Sequence, residues 1–426
     1  MTRFVFMALA LIALSFDFAL FRLWIRRRKT QAMKTYSSPK PGKPWISYAF
    51  WTYALLTNVV LLLVIFLAYR WPFFGPHSIS RVPLWLAWWF LLNAIPKSCY
   101  LLFYALSRLW KSLLPGSGRW LRGMGIVLSM CIIALMVKGA FYDSRNFKLS
   151  PVDLYSPKIP PAFDGYRIVF FSDLHLGNLV NPQAFLSEFV AQANALEPDL
   201  LLHGGDLVNM YADEIRPELM DILSQLRAKD GIYSVLGNHD MGPYISPRVQ
   251  ALGWYPLENT RRVRQKSEAM GWKMLENASL QISRDSLYIG LSGLPYPPMP
   301  PHFPDSLTHF DPEATTRDLD TSVFNIMLCH TPKVWSPGYE EVYPSLRKID
   351  LMLSGHTHAM QFKLRAGGRA WSPVQWKFPQ WAGLYERDGR YLYVNEGLGY
   401  VVYPMRIGSR PEITLVTLHH SSLALN

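Results

Sequence analysis

The sequence predicts an α/β domain carried behind a helical, membrane-spanning segment. Three observations lead there. The first 145 residues hold four long apolar segments, strand-like and helix-like runs alternate after residue 166, and short clusters of Asp, His and Asn stand where the strand-like runs end.

The apolar segments cover about 4–25, 46–69, 82–107 and 122–142. Each is long enough to cross a hydrocarbon core, which takes ~20 helical residues. The first is followed directly by a strong basic run and is too long for the apolar core of a signal peptide, so it reads as a retained anchor. The expected division is a four-span transmembrane domain at 1–145 and a second domain at 146–426. Arg26, Arg27, Arg28, Lys29, Lys34, Lys40 and Lys43 follow the first span, and Arg108, Lys111, Arg119 and Arg122 lie between the third and fourth, against only Arg70 and Arg81 in the intervening loop. Both rich loops are expected on the cytoplasmic side. With four spans, the C-terminal domain is then extracytoplasmic, and the setting is a bacterial cytoplasmic membrane.

Charge follows the same division. Residues 1–150 carry 19 Lys plus Arg against Asp17 and Asp143, so the formal +12 of the 426-residue chain belongs to its first third. Basic residues set between apolar runs are topogenic rather than a surface for reading nucleic acid, and nucleic-acid binding is excluded on that ground. Cys99, Cys131 and Cys329 are odd in number and scattered, which gives neither a disulfide framework nor a thiolate metal site. Asp17 and Lys97 fall at similar depths in spans one and three. Three readings stay open for them: an interhelical pair, snorkelling of Lys97 beside Pro96, or an ion or substrate path.

From Asp143 to Tyr166 the chain is polar and rich in proline, as suits a linker or edge strand. Strand-like runs at 167–172, 199–203 and 232–236 then alternate with helix-like runs at about 182–197 and 214–229, a β-α-β-α-β pattern. Further strands are expected at 287–292, 323–329, 350–354, 391–395 and 412–418.

The polar clusters are ordered along these strands. Asp173 and His175 end the first; Gly204-Gly205-Asp206 ends the second; Gly237-Asn238-His239-Asp240 ends the third; His330 and Gly355-His356-Thr357-His358 end two later ones. Open α/β sheets place their sites at strand ends. Asp and His two apart on an extended chain share a face. The donors are oxygen and imidazole, which favours Mn, Fe, Zn or Co over soft-metal sites. Seven donors exceed the needs of one ion, whereas two divalent ions about 3.5–4 Å apart and sharing a carboxylate would use them all. His203, inside a strand, is expected in the core.

The series Asp173-x-His175, Gly205-Asp206, Gly237-Asn238-His239-Asp240, His330 and Gly355-His356-x-His358 resembles the calcineurin-like metallophosphoesterase superfamily over residues 150–420. Within it the chain resembles the transmembrane metallophosphoesterases, the group with the YkuE- and YaeI-type phosphodiesterases. The Gly397-Leu398-Gly399 turn and the strand at Pro411-Glu412-Ile413 fit that group. The resemblance implies a four-layer αββα sandwich. It implies one metal held by Asp173, His175, Asp206 and His358, and another by Asp206, Asn238, His330 and His356, with Asp206 bridging. It makes His239 the catalytic histidine and a metal-bound hydroxide the nucleophile. The chain departs from the pattern at Asn209, where Asp is frequent, and at Ala359-Met360, where two glycines are usual.

The implied activity is hydrolysis of a phosphodiester or pyrophosphate bond on a lipid or lipid-linked substrate, with UDP-2,3-diacylglucosamine of lipid A synthesis as one candidate. That candidate is made in the cytoplasm, and an extracytoplasmic lipid-linked phosphate agrees better with the loop charges. Trp371, Trp376, Phe378, Trp381 and Tyr385, with the Pro- and aromatic-rich stretch from Tyr296 to Phe303, read either as lipid-facing or as packing. The alternative of another class is a four-span transporter or receptor with a non-catalytic metal-binding module.

Overall fold

The computed structural model describes residues 22, 81–114, 116, 118–242, 255–298 and 309–421. The expected spans at 4–25 (Arg22 apart) and 46–69, with Asp17, Arg70 and the basic run from Arg26 to Lys43, lie outside the described residues. The chain divides into two compact units, Met1–Lys138 and Gly139–Asn426.

The first unit holds helix Arg81–Leu113, which runs through Pro96, and all but the last three residues of helix Arg119–Phe141. Two stretches, Leu84–Leu113 and Arg119–Arg145, are long and apolar enough to cross a membrane. Their large apolar side chains Leu102, Val127 and Met130 are exposed, as on a lipid-facing helix. The two helices touch where Gly125 meets the base of the Phe103 side chain, and Ser129 Oγ donates to the Pro96 carbonyl at 2.8 Å. A glycine lets the backbones approach closely there. Lys97 is buried in this unit.

The second unit is built on two six-stranded sheets. Strands β1 (Lys148–Ser156), β2 (Tyr166–Phe171), β3 (Leu200–His203), β4 (Ile232–Ser234) and β5 (Lys273–Met274) belong to one; β6 (Ala278–Arg284), β7 (Leu287–Leu294), β8 (Asn325–Cys329) and β9 (Leu351–Ser354) belong to the other. The two-stranded ribbon β10 (Leu364–Ala366) and β11 (Arg369–Trp371) stands apart; β12 (Gly383–Arg387) and β13 (Arg390–Val394) complete the second sheet, and β14 (Glu412–His420) returns to the first. The orders are β1-β14-β2-β3-β4-β5 and β12-β13-β9-β8-β7-β6. The β2-β3-β4-β5 and β7-β8-β9-β13 runs are parallel. Parallel neighbours end on the same side, so their terminal residues converge.

Side-chain alternation sorts the core. Ile168 and Phe170 of β2 join Leu200, Leu202, Ile289, Leu291, Ile326, Leu328, Leu351 and Leu353 in one buried cluster drawn from both sheets. Phe171 points the other way, onto Phe189 of helix Pro182–Ala195, with ring centroids 4.8 Å apart. Each such fully buried ring contributes roughly 1.5–3 kcal/mol of transfer free energy. Of the two readings of the proline-rich stretch, linker or edge strand, the second holds for β1, which pairs parallel with β14 at the sheet edge and tolerates Pro151 there. The helix expected at 214–229 is confined to Pro217–Leu223. Asn194 explains the early stop: its amide donates to the Gln225 carbonyl at 2.8 Å and its oxygen accepts the Arg227 N–H at 2.9 Å, drawing the backbone out of helix.

Candidate metal centre

The strand ends bring the polar clusters together. Asp173, His175 and His358 form one group, His175, Asp206 and His239 a second, and Asp206, His330 and His356 a third, each with donor atoms within 4.8 Å of one another. His175 Nε2 lies 3.0 Å from His358 Nε2, and His358 Nε2 lies 3.2 Å from Asp173 Oδ1. Asp206 Oδ2 is 3.6 Å from His175 Nε2 on one side and 3.1 Å from His330 Nε2 on the other. His356 Nδ1 completes the far group, 3.3 Å from His330 Nε2. Donors bound at ~2.1 Å to one ion lie about 3–3.5 Å apart, so these separations suit nitrogen and oxygen ligands around shared cations. Asn238 is buried in the same turn, between Gly237 and a His239 N–H that donates to Asp206 Oδ1 at 2.8 Å.

The backbone is bent to achieve this. Asp173, His175, Asp206, His356 and His358 all have positive φ, from 45° to 70°. Non-glycine residues avoid that region, and outliers of this kind concentrate at functional sites. Ala359 and Met360, at φ 49° and 52°, adopt the same conformation despite their side chains. Two glycines make room for carboxylates: a β-carbon at Gly237 would overlap Asp206 Oδ1, and one at Gly355 would overlap Asp173 Oδ2.

Electrostatics follow from crowding imidazoles around two buried acids. Burial alone would raise the Asp173 carboxyl, but His358, His175 and His330 outweigh it and hold it well below the usual range. Asp206 is likewise lowered against its burial, chiefly by His330 and His239. His330 goes the other way: Asp206 and Asp173 overcome desolvation and lift it to about 9. Burial pushes His356 down to about 3, with His330 adding to the effect, and pushes His239 down to about 4. Ionised carboxylates beside mostly neutral imidazoles are a donor set for cations. By contrast His203 packs between Phe171 and Trp272 and bonds Ser234, a core histidine as expected.

His330 and His239 are oriented by carbonyls. His330 Nδ1 donates to Gly204 O at 2.7 Å and His239 Nδ1 to Asn209 O at 2.6 Å. A ring nitrogen so committed leaves Nε2 for the site. Two supporting residues carry no signal in the sequence. Glu214 is buried and accepts the N–H groups of Asn209, Met210, Tyr211 and Gly177, so it clamps the loop that supplies the Asn209 carbonyl. Arg406, also buried, donates to the carbonyls of Glu396, Gly397 and Gly399, while the Leu398 and Gly399 N–H groups bond the carbonyls of Ser172 and Asp173. Read along the chain, Glu214 is an ordinary first-turn acid and Arg406 a lone cation.

The aromatic stretch after His358 divides in two. Phe378 and Trp381 are buried, Phe378 with its ring 5.2 Å from His356, whereas Trp376 is 78% exposed and Trp371 is exposed beside it. Tyr296 packs against His330 and His356; the residues from 299 to Phe303 lie outside the described residues.

Residues 166–360 match the calcineurin-like phosphoesterase pattern. The chain is 30% identical over 267 residues to the uncharacterized metallophosphoesterase YkuE of Bacillus subtilis (strain 168), a match covering 62% of this chain and 82% of that protein. It is 29% identical over 302 residues to a Bos taurus transmembrane protein with metallophosphoesterase domain, covering 68% of this chain and 61% of the relative, less than two thirds of its length. It is 27% identical over 315 residues to the UDP-2,3-diacylglucosamine pyrophosphatase LpxG of Chlamydia muridarum (strain MoPn / Nigg), covering 64% of this chain and 90% of that protein.

Proposed function

The chain belongs to the calcineurin-like phosphoesterase family, and from that premise we propose that it is a membrane-anchored hydrolase of phosphodiester or pyrophosphate bonds that works with two divalent cations. The observation that carries this reading is the position of Asp206, with one carboxylate oxygen 3.6 Å from His175 Nε2 and 3.1 Å from His330 Nε2, between two groups of donors. Asp173, His175, Asp206 and His358 would hold one ion, and Asp206, Asn238, His330 and His356 the other. Such ions supply Lewis acidity toward phosphoryl oxygens and acidify water. With Nδ1 committed to Asn209, His239 has Nε2 to take or deliver a proton at the reacting oxygen. The four-layer αββα arrangement is supported by the apolar cluster that both sheets share.

The substrate we propose is lipid-linked. UDP-2,3-diacylglucosamine is the concrete candidate, taken from the LpxG relatives, and a lipid phosphate outside the cytoplasm is the candidate that agrees with an extracytoplasmic domain. The four-span, multi-pass arrangement with the catalytic domain outside is supported by loop charge. A transporter or receptor with an inert module is disfavoured, because an inert module has no use for His239 held by Asn209 beside the donor groups.

The test is hydrolysis by the purified full chain loaded with Mn, Fe, Zn or Co in turn. Bis-p-nitrophenyl phosphate and the acylated nucleotide sugar would be the substrates. Turnover of either that vanishes in Asn238→Ala together with bound metal supports the enzyme. No turnover of any phosphoester with metal fully bound would leave the binding module.

A further inference from the structure

The surface just beyond His358 is unlike the rest of the domain. Between Ala359 and Tyr385 there is no Asp or Glu, and Arg365, Arg369 and Lys377 are exposed. All six residues of the β10–β11 ribbon are exposed, and its register sets Leu364 opposite Trp371. Trp371 meets Trp376 edge-on at 5.9 Å. Met360 is 47% exposed and holds its apolar side chain out from a left-handed backbone that disfavours any side chain. The same segment ends at Phe378, whose ring lies against His356. The patch therefore reaches the rim of the metal centre.

We propose that this ribbon and Trp376 form a bilayer-docking surface that seats the catalytic domain on an anionic leaflet. Tryptophan and aliphatic side chains would enter the interface while Arg365, Arg369 and Lys377 meet lipid phosphates. The occupant follows from charge complementarity: exposed Arg365, Arg369 and Lys377, on a stretch of sequence without an acid and interleaved with exposed tryptophans, match an anionic membrane surface. Two helical stretches long and apolar enough to cross a membrane precede the domain in the same chain. The docking serves a membrane-borne phosphoester and in that respect rests on the reading above.

The test uses the full chain in nanodiscs, with Cys99 and Cys131 replaced by Ala and a spin label placed at Trp376→Cys. Val342→Cys, 67% exposed elsewhere on the domain, is the reference. In discs containing phosphatidylglycerol, the label at 376 is expected to gain access to oxygen and lose access to a water-soluble nickel chelate, while the label at 342 stays aqueous. Arg365→Glu with Arg369→Glu should return position 376 to water. In the unlabelled protein the same pair should raise KM for a lipid-borne phosphoester by about tenfold or more and leave kcat/KM for bis-p-nitrophenyl phosphate within about twofold. Equal aqueous access at 376 and 342 overturns the docking surface, and insertion that is the same in purely zwitterionic discs overturns its anionic basis. The label reports position without turnover, so failure of docking is distinguishable from failure of hydrolysis.

Discussion

Asp206 and His330 stand 3.1 Å apart, Oδ2 to Nε2, while the other oxygen of Asp206 accepts the His239 N–H. One carboxylate thus joins both halves of the donor cluster. Asp206→Asn should lower the content of both ions and cut kcat by about a thousandfold or more, since neutralising a shared ligand weakens two sites at once. Metal analysis of the purified variant checks it; two ions retained per chain would remove Asp206 from the bridging role.

His239 donates Nδ1–H to Asn209 and belongs to the group with His175 and Asp206. Replacing it with Asn should leave metal content unchanged and lower kcat by about 10²–10⁴. The loss should be greater for alkyl than for nitrophenyl leaving groups, because only the former need a proton on departure. Equal losses across leaving groups would argue for charge stabilisation instead.

Glu214 is linked to His239 through the Asn209 backbone. Each Glu214 oxygen accepts two of the four N–H groups, so Glu214→Gln sets an amide donor against two of them and should cost about 1–3 kcal/mol of stability. A kcat loss on alkyl substrates should accompany it. Gly177→Ala should act on the same contact, since a β-carbon there overlaps the Glu214 carboxylate. Thermal unfolding and leaving-group kinetics on both variants would show whether the two effects travel together.

Asp199, just before the central strand β3, shows how the first sheet answers to pH. Burial alone would raise its carboxyl, but hydrogen bonds from Lys229, the Arg167 N–H and Arg284 outweigh it and lower the pKa below 3.8. A depressed carboxyl adds stability that is fully present above its unfolded range and fades as pH falls through the folded pKa. Wild type should therefore exceed Asp199→Asn in Tm at neutral pH and converge with it in acid. A constant gap from neutrality to about pH 3 would contradict the assignment.

The loop charges predict that a C-terminal tag is cleaved by protease added to intact cells, with any outer membrane permeabilised. Protection, beside an intact cytoplasmic control, would place the domain inside and make the nucleotide-linked acyl sugar the leading substrate.

Much of this molecule is legible along the chain. Runs such as Ile168–Phe171 and Leu200–Leu202 are apolar because parallel strands are covered on both faces, and each ends abruptly in donors, so strand and site were read from the same few residues. Short strands without a strong pattern, such as β5, β10 and β11, escaped that reading. So did the confinement of a helix to Pro217–Leu223, which depends on Asn194 of a different helix.

What the sequence determined by itself is the chemistry: ligand types, their order and their strand-end placement are properties of neighbouring residues. Tertiary structure alone decided how these side chains are supported. That Gly237 yields space to Asp206, that Glu214 orients His239 through Asn209, and that Arg406 holds the turn bonded to Asp173 each rest on one contact between segments distant in sequence: Gly237 with Asp206, Asn209 with His239, and Gly399 with Asp173. Hydrogen bonds and steric clearance act through space at a few ångströms, so such partners become visible only once the fold has brought them within reach.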